Sequence, residues 1–401
     1  MYFKIVIKMK FKRKIFNSLE AHLDKKQVTV LTGMRRTGKT TLVKQLMDAS
    51  KIEQKLFFDL ERIDHRKLFS FDNYDLTINS LKKDGYDFSK KVLICIDEIQ
   101  LLPNIPSVIK YLYDHYDIKF IVTGSSSYYI KNKFQESMAG RKKIFEIYPL
   151  DFGEFLTFKN IRHKPLDTLE NLQSFPLASS GLKLEYEEYE TFGGFPAVVL
   201  ADNIDDKKDL LQDIISSYIN IDLVQIADIR KINEIANLIK LLAARIGSKL
   251  DISKIANTVN LSRQTVDNYI YLLENTYFIK LVPVYSLNAD REIVKARKVY
   301  FLDNGIANQF ADLGSGSKLE NAVFNQLHHL GEVNYYQLKT GQEIDFIVDK
   351  KFAFEVKETV YEVDYRKMMN LAKKINIDKG FVVGKNNNPA FDAFIWAGLI
   401  R

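Results

Sequence analysis

Eight residues, Gly33-Met-Arg-Arg-Thr-Gly-Lys-Thr40, stand between an apolar run, Val28–Leu31, and an amphipathic stretch, Thr41–Met47. The order reads as strand, glycine-bearing loop and helix, and no other feature constrains the chain as strongly. Glycines let backbone N–H groups curl around a phosphate, and the N-terminus of the following helix adds its positive dipole end. In such a loop Lys39 bridges β- and γ-phosphates and the Thr40 hydroxyl ligates Mg²⁺. Gly33, Met34, Arg35, Arg36, Thr37, Gly38, Lys39, Thr40 and Thr41 are therefore the candidate nucleotide-binding residues, with ATP and Mg²⁺ as the implied ligands.

A phosphate loop needs an acid at the end of a neighbouring strand. Val92–Ile96 is an apolar run that leads directly into Asp97 and Glu98. Asp97 fits a Mg²⁺ ligand, and Glu98 fits a base that polarises the attacking water. The same pair could instead open a helix by favouring its dipole. Cys95, inside that run, reads as apolar filler. The next apolar run, Ile118–Val122, ends in Thr123-Gly-Ser-Ser-Ser127. There Thr123 can orient water or feel the γ-phosphate, or simply form a capped turn. Arg141, in Ala139-Gly-Arg, precedes a fifth run at Ile144–Tyr148; it is either a finger acting on a neighbouring subunit's nucleotide or a surface arginine with a local ion pair.

With 401 residues the chain exceeds one ordinary domain, and on the order of two to four are expected. A 46% hydrophobic, 27% charged composition excludes disordered, collagenous and low-complexity classes. A single cysteine excludes an internal disulfide and a multi-cysteine zinc site, which fits a reducing, intracellular compartment. Apolar runs are strand-sized, so neither a membrane span nor a signal peptide is expected. No repeat recurs along the chain. Five short runs alternating with amphipathic stretches predict an α/β fold with a parallel sheet, followed from Leu150 to about Gly247 by helical periodicity.

The order of phosphate loop, Asp97-Glu98, polar turn and pre-strand arginine resembles the AAA superfamily of ATPases. More narrowly, Gly33–Thr41, Asp97-Glu-Ile-Gln100, Thr123-Gly-Ser-Ser, Ala139-Gly-Arg141, Pro149-Leu-Asp-Phe-Gly-Glu-Phe155 and Gly193-Gly-Phe-Pro196 resemble a family of bacterial and archaeal ATPases with an uncharacterised C-terminal domain. The resemblance implies a sheet order of 5-1-4-3-2, an α-helical lid after Leu150, and ring or partner-driven assembly. A lid arginine aimed at the γ-phosphate cannot be placed.

Further along, Asp251–Val259 reads as a helix, Asn260 as a turn, and Ser262–Leu273 as a second helix with a good cap. An apolar ribbon over 277–285 would be the wing of a winged helix-turn-helix. From Arg245 to Tyr300 there are nine Lys/Arg against five Asp/Glu, an excess suited to DNA phosphates. Arg263, Gln264 and Thr265 would meet base edges, although Asp267 and Glu274 also suit a protein-contact helix. After Gly316 the order is helix, three strands, helix and strand, αβββαβ. Given a three-residue turn at 349–351, Asp345 lies opposite Glu355 and shares a face with Lys357, whereas a two-residue turn separates them. Two carboxylates on one face would bind Mg²⁺ at a scissile phosphate, with Lys357 on the water. This arrangement resembles the PD-(D/E)xK restriction-endonuclease-like fold, which implies Asp345 and Glu355 as metal residues, Lys357 as their partner and Glu320 as an auxiliary acid. Alternating acid and lysine on an exposed hairpin would look the same. His328 and His329 read as ordinary helix residues, and Pro389–Arg401 as an apolar helix. The expected division is 1–149, 150–247, 248–288 and 289–401. Two functions remain: an ATPase coupled to DNA binding and cleavage, or a nucleotide-controlled switch or scaffold whose nuclease-like domain is inactive and holds a protein or nucleic-acid partner.

Overall fold

The five apolar runs near the start of the chain are strands, and all of them pair in parallel. They are β1 (Val28–Thr32), β2 (Gln54–Asp59), β3 (Val92–Asp97), β4 (Ile118–Gly124) and β5 (Lys142–Glu146), hydrogen-bonded as β2-β3-β4-β1-β5. The order is the expected one. β5 begins two residues before its apolar run because Lys142 pairs with Val28, the first residue of β1. The computed structural model describes residues 11–125, 138–164, 166, 168–172, 181–223, 232–286, 296–386 and 391–400. Ser126 and Ser127 of the polar turn lie outside them.

β1, β3 and β4 are buried along their whole length, as parallel strands covered on both faces must be. Successive side chains serve opposite layers. Val28, Val30, Ile94 and Ile96 pack with Ile78 of α4 (Asp75–Lys83) and Ile109 of α5 (Ile105–His115). Leu31, Leu93 and Cys95 pack instead with α1 (Phe16–Ala21) and with Leu42, Val43 and Leu46 of α2 (Lys39–Ala49). A short α3 (Ile63–Leu68) follows β2. Lys119 of β4 is buried, and its ammonium donates to the carbonyls of His22, Lys25 and Gln27 at 2.7–2.8 Å.

The chain divides into two units, Met1–Tyr148 with Asn275–Tyr277, and Pro149–Glu274 with Phe278–Arg401. The second begins with α6 (Phe152–Phe158), α7 (Lys183–Phe192), α8 (Pro196–Val199), α9 (Ile204–Ser217), a π-helical turn at Tyr218–Leu223, and α10 (Ile232–Ala243). Then come α11 (Ile252–Val259), α12 (Arg263–Asn275), and a two-stranded ribbon of β6 (Ile279–Val282) and β7 (Lys298–Phe301). After α13 (Asn304–Phe310) and α14 (Ser315–Leu327) follow β8 (Val333–Gln337), β9 (Glu343–Val348), β10 (Phe352–Lys357), α15 (Glu362–Ala372), β11 (Lys379–Gly384) and β12 (Phe394–Trp396). The last sheet runs β12-β11-β10-β9-β8. The terminal segment expected as a helix is thus a correction. Phe394, Ile395 and Trp396 are all buried and pair in parallel with Val382, Val383 and Gly384, with a single 3₁₀ turn after them. Among the described residues no helix is long and apolar enough to cross a membrane.

One buried acid ties distant parts of the second unit together. Asp303 caps α13 by accepting from Ile306 N at 2.9 Å, and it accepts from Gly194 N at 2.7 Å. The close approach excludes a side chain at Gly193, where φ is +74° and a Cβ would lie 2.3 Å from the carboxylate. Burial pushes the Asp303 carboxyl from 3.8 up to about 6. Because the folded state holds this proton more tightly, the stabilising contribution is full below the ordinary range and is lost as pH rises through about 6. Melting temperatures of wild type and Asp303→Asn, compared from about pH 4 to pH 7, should show the wild type losing ground to the variant as pH rises. A pH-independent difference would contradict the assignment.

Candidate functional site

The C-terminal ends of the parallel strands bring the first site together. Thr32 pairs with Gly124, and Ile96 with Val122, so the loop after β1, the acids after β3 and the turn after β4 share one edge. The loop needs its glycines: Gly38 has φ +95°, and a Cβ on Gly33 would sit 2.0 Å from the Ile147 carbonyl oxygen. Arg36 also adopts a left-handed φ of 64° and is exposed, as is Thr41. Met34 and Thr37 are buried, and Arg35 pairs with Glu61 at 3.7 Å. Lys39 is buried, donating to the carbonyls of Gly33 at 2.8 Å and Met34 at 3.0 Å.

Asp97 is the centre of this edge. One oxygen accepts from Thr40 Oγ1 at 2.7 Å and the other from Thr123 Oγ1, while Thr123 Oγ1 accepts from Glu98 N at 3.1 Å. Burial pushes the Asp97 carboxyl up, against the pull of the two hydroxyls. Glu98 itself sits at φ 55°, a left-handed conformation that costs a non-glycine residue about 1–2 kcal/mol. Its carboxylate accepts from Gln100 Nε2, which also donates to Ser125 Oγ at 2.9 Å. Sequence reasoning did not single out Gln100; its place two residues after Glu98 was the available signal. Arg141 is not in this group. It lies at the start of β5, beside the first residue of β1 and so at the other end of the sheet, and its guanidinium is paired with Asp114 at 3.0 and 3.2 Å.

A second group of ionisable residues lies in the last sheet. The turn joining β9 to β10 has three residues, two of them left-handed at Asp349 and Lys350, and Phe354 pairs with Phe346. Continuing that register sets Glu355 opposite Asp345, so the alternative two-residue turn is excluded. Asp345 accepts from Val356 N at 2.8 Å, and Lys357 Nζ donates to Glu355 at 2.7 Å. Glu320, on α14, accepts from the Tyr300 hydroxyl at 2.6 Å. Burial, then the charge of Asp345, pushes Glu320 up to about 7 and Glu355 up to about 8. Burial opposes the Lys357 ammonium, but Asp345 and Glu355 hold it above its usual value. Glu355 Oε2 is buried with no hydrogen-bond partner. Among the described residues, no group of three or more His, Cys, Asp and Glu is arranged to hold a metal ion, so a metal centre here would rest on two carboxylates.

The α11–α12 pair is formed by its caps. Asp251 accepts from Lys254 N at 3.0 Å, Asn260 turns the chain at φ 54°, and Ser262 Oγ accepts from Thr265 N at 3.0 Å. On α12, Arg263 and Gln264 are exposed, but Arg263 lies 3.9 Å from Asp267 and Gln264 donates to Asn268. Glu274 faces the ribbon, accepting from Leu281 N at 3.2 Å. The expected ribbon over 277–285 supplies only β6; its partner β7 comes from beyond 287–295, which lie outside the described residues.

Comparison with known proteins gives three domain matches: an AAA domain over residues 25–156, and two domains of unknown function, DUF8612 over 183–317 and DUF4143 over 315–396. An uncharacterised protein of Haemophilus influenzae is 28% identical over 89% of this chain and 89% of its own length. An uncharacterised protein of Methanocaldococcus jannaschii is 28% identical over 92% of this chain and 84% of its own. Among solved structures, the Aeropyrum pernix ORC2 protein in its ADP form aligns with TM-score 0.38 and 12% identity, over 68% of this chain and 87% of that one. The DNA complex of Aeropyrum pernix ORC1 aligns with TM-score 0.33 and 12% identity, over 73% and 90%. At TM-scores this low neither likeness bears on function. Residues 25–156 thus match an AAA domain, and the sheet order and phosphate loop of the first unit are those of a P-loop ATPase fold.

Proposed function

We propose that this chain is a Mg²⁺-dependent ATPase coupled to DNA, with the divisions 1–149, 150–247, 248–288 and 289–401 as ATPase core, helical lid, winged helix and nuclease-like domain. The observation that carries the reading is the buried Asp97 carboxylate shared between the hydroxyls of Thr40 and Thr123 beside Lys39.

A buried acid pushed toward its protonated form is one that a cation would discharge, so Thr40 and Asp97 fit a Mg²⁺ site. When bound there, Mg²⁺ would neutralise charge on the β- and γ-phosphates. Lys39 exchanges the Gly33 and Met34 carbonyls for phosphate oxygens. Glu98, turned by its left-handed backbone and held by Gln100, takes the proton of the attacking water, and Thr123 fixes the Glu98 backbone. Arg141 serves a neighbouring copy's nucleotide after leaving Asp114. Lys39→Ala should therefore abolish nucleotide binding. Glu98→Gln should keep binding and lose on the order of 10²-fold or more in turnover. Equal steady-state hydrolysis by wild type and Glu98→Gln would refute the role of Glu98. An in-trans Arg141 also requires specific activity to rise with protein concentration, and a flat profile would sink it.

DNA enters through α12, whose exposed Arg263 and Gln264 open the second helix of a helix-turn-helix, within a segment carrying four more cations than anions. At the acid cluster, the partnerless buried Glu355 Oε2 fits a cation ligand, with Asp345 as the second carboxylate. A divalent ion held there would lower the pKa of a bound water and stabilise charge at a scissile phosphate. Lys357 positions that water, and Glu320, held by Tyr300, is the auxiliary acid beside it. Two assays divide this reading from a nucleotide-controlled switch or scaffold. DNA should stimulate ATP hydrolysis at low salt and lose most of that effect at about 0.2 M. Plasmid should be nicked with Mg²⁺ or Mn²⁺ by wild type and not by Lys357→Ala. Hydrolysis indifferent to DNA, with no nicking in either metal, would favour the switch.

A further inference from the structure

Arg13 is buried, with its guanidinium donating to the Thr37 carbonyl at 3.0 Å and to the Tyr148 carbonyl at 2.9 Å. These acceptors lie 24 and 135 residues away in sequence, one in the middle of the phosphate loop and the other just past β5. We propose that Arg13 is a positioning residue for nucleotide phosphate, clamping the Thr37–Gly38 peptide so that the Gly38 N–H faces the bound anion. The inference rests on the reading of the first unit as a nucleotide site.

The peptide bond is planar and trans, so a Thr37 carbonyl drawn toward Arg13 turns the Gly38 N–H the opposite way. Gly38 caps α2, and its N–H joins the first-turn N–H groups that have no partner within the helix. Two other loop carbonyls are claimed too, Gly33 by Lys39 and Met34 by Lys39 and the Thr37 hydroxyl. Lys39 must give up its carbonyls to reach phosphate, whereas Arg13 holds Thr37 with one guanidinium nitrogen and Tyr148 with the other. Its planar fork puts one nitrogen on each carbonyl in a fixed relative geometry, which a rotating ammonium on a flexible stem does not impose. The second carbonyl, of Tyr148, adjoins Ile147, the residue against which Gly33 is packed, so the clamp ties the middle of the loop to the same strand end that the start of the loop packs on.

The test uses the full chain and fluorescently labelled ADP and AMP. Arg13→Lys and Arg13→Gln should weaken ADP by roughly tenfold, the loss of about one charge-assisted hydrogen bond's worth of alignment. AMP, which lacks the β-phosphate that the loop cradles, should bind as it does to wild type. A merely structural role would weaken both nucleotides alike, and equal ADP binding by wild type and both variants would overturn the clamp. Wild type that binds neither nucleotide would overturn the underlying nucleotide reading instead. Hydrogen exchange on wild type provides a check independent of variant folding. The Gly38 N–H should gain protection on ADP binding that AMP does not give; equal protection by the two nucleotides, or none by either, would overturn the clamp.

Discussion

The nucleotide site depends on a single register, the parallel pairing of β1, β3 and β4. Because those strands run the same way and end together, Asp97 meets Thr40 from the helix after one strand and Thr123 from the end of another. A carboxylate so deeply buried is stable only with donors on both oxygens, and it has them. A one-residue slip in β3 would turn Asp97 to the other face of the sheet and leave both hydroxyls without it. Close packing of β1, β3 and β4 side chains against two helix layers opposes the slip. The fold therefore supports the site through the same apolar side chains that form its two cores.

Much of this was legible in the sequence because its signals are local. The phosphate loop needs glycines at fixed offsets, and apolar runs of strand length need no distant information. The hairpin of β9 and β10 was also legible once its turn length was known, since a turn of three residues sets Asp345 opposite Glu355. What stayed hidden is non-local. β12 pairs in parallel with β11, so no hairpin turn announces it, and Phe394-Ile-Trp has neither helical nor alternating polarity. β6 finds its partner beyond a long intervening segment. Arg13, Lys119 and Asp303 are charged residues that the sequence gives no reason to bury. Each is buried because backbone carbonyls or N–H groups from elsewhere in its own unit converge on it.

The two ionisable centres differ in what fixes their charge. Around the phosphate loop, the groups that orient the site are backbone carbonyls, hydroxyls and the side chains of Arg13 and Lys39, so the geometry is set by chain direction and peptide planes. The acid cluster has no such frame. Asp345 gains one backbone N–H, Glu320 one phenol and Glu355 one lysine, while burial and mutual repulsion raise Glu320 and Glu355 far above the ordinary carboxylate range. Asp345 and Glu343 act on both Glu320 and Glu355 there, opposed by the ammonium of Lys298 at the first and of Lys357 at the second. Such a group must hold protons or a cation to remain buried. The phosphate loop thus has its form settled by the fold, whereas the acid cluster has its charge settled by protons or a cation, which is why a motif suffices to read the first and a hairpin register is needed to recognise the second.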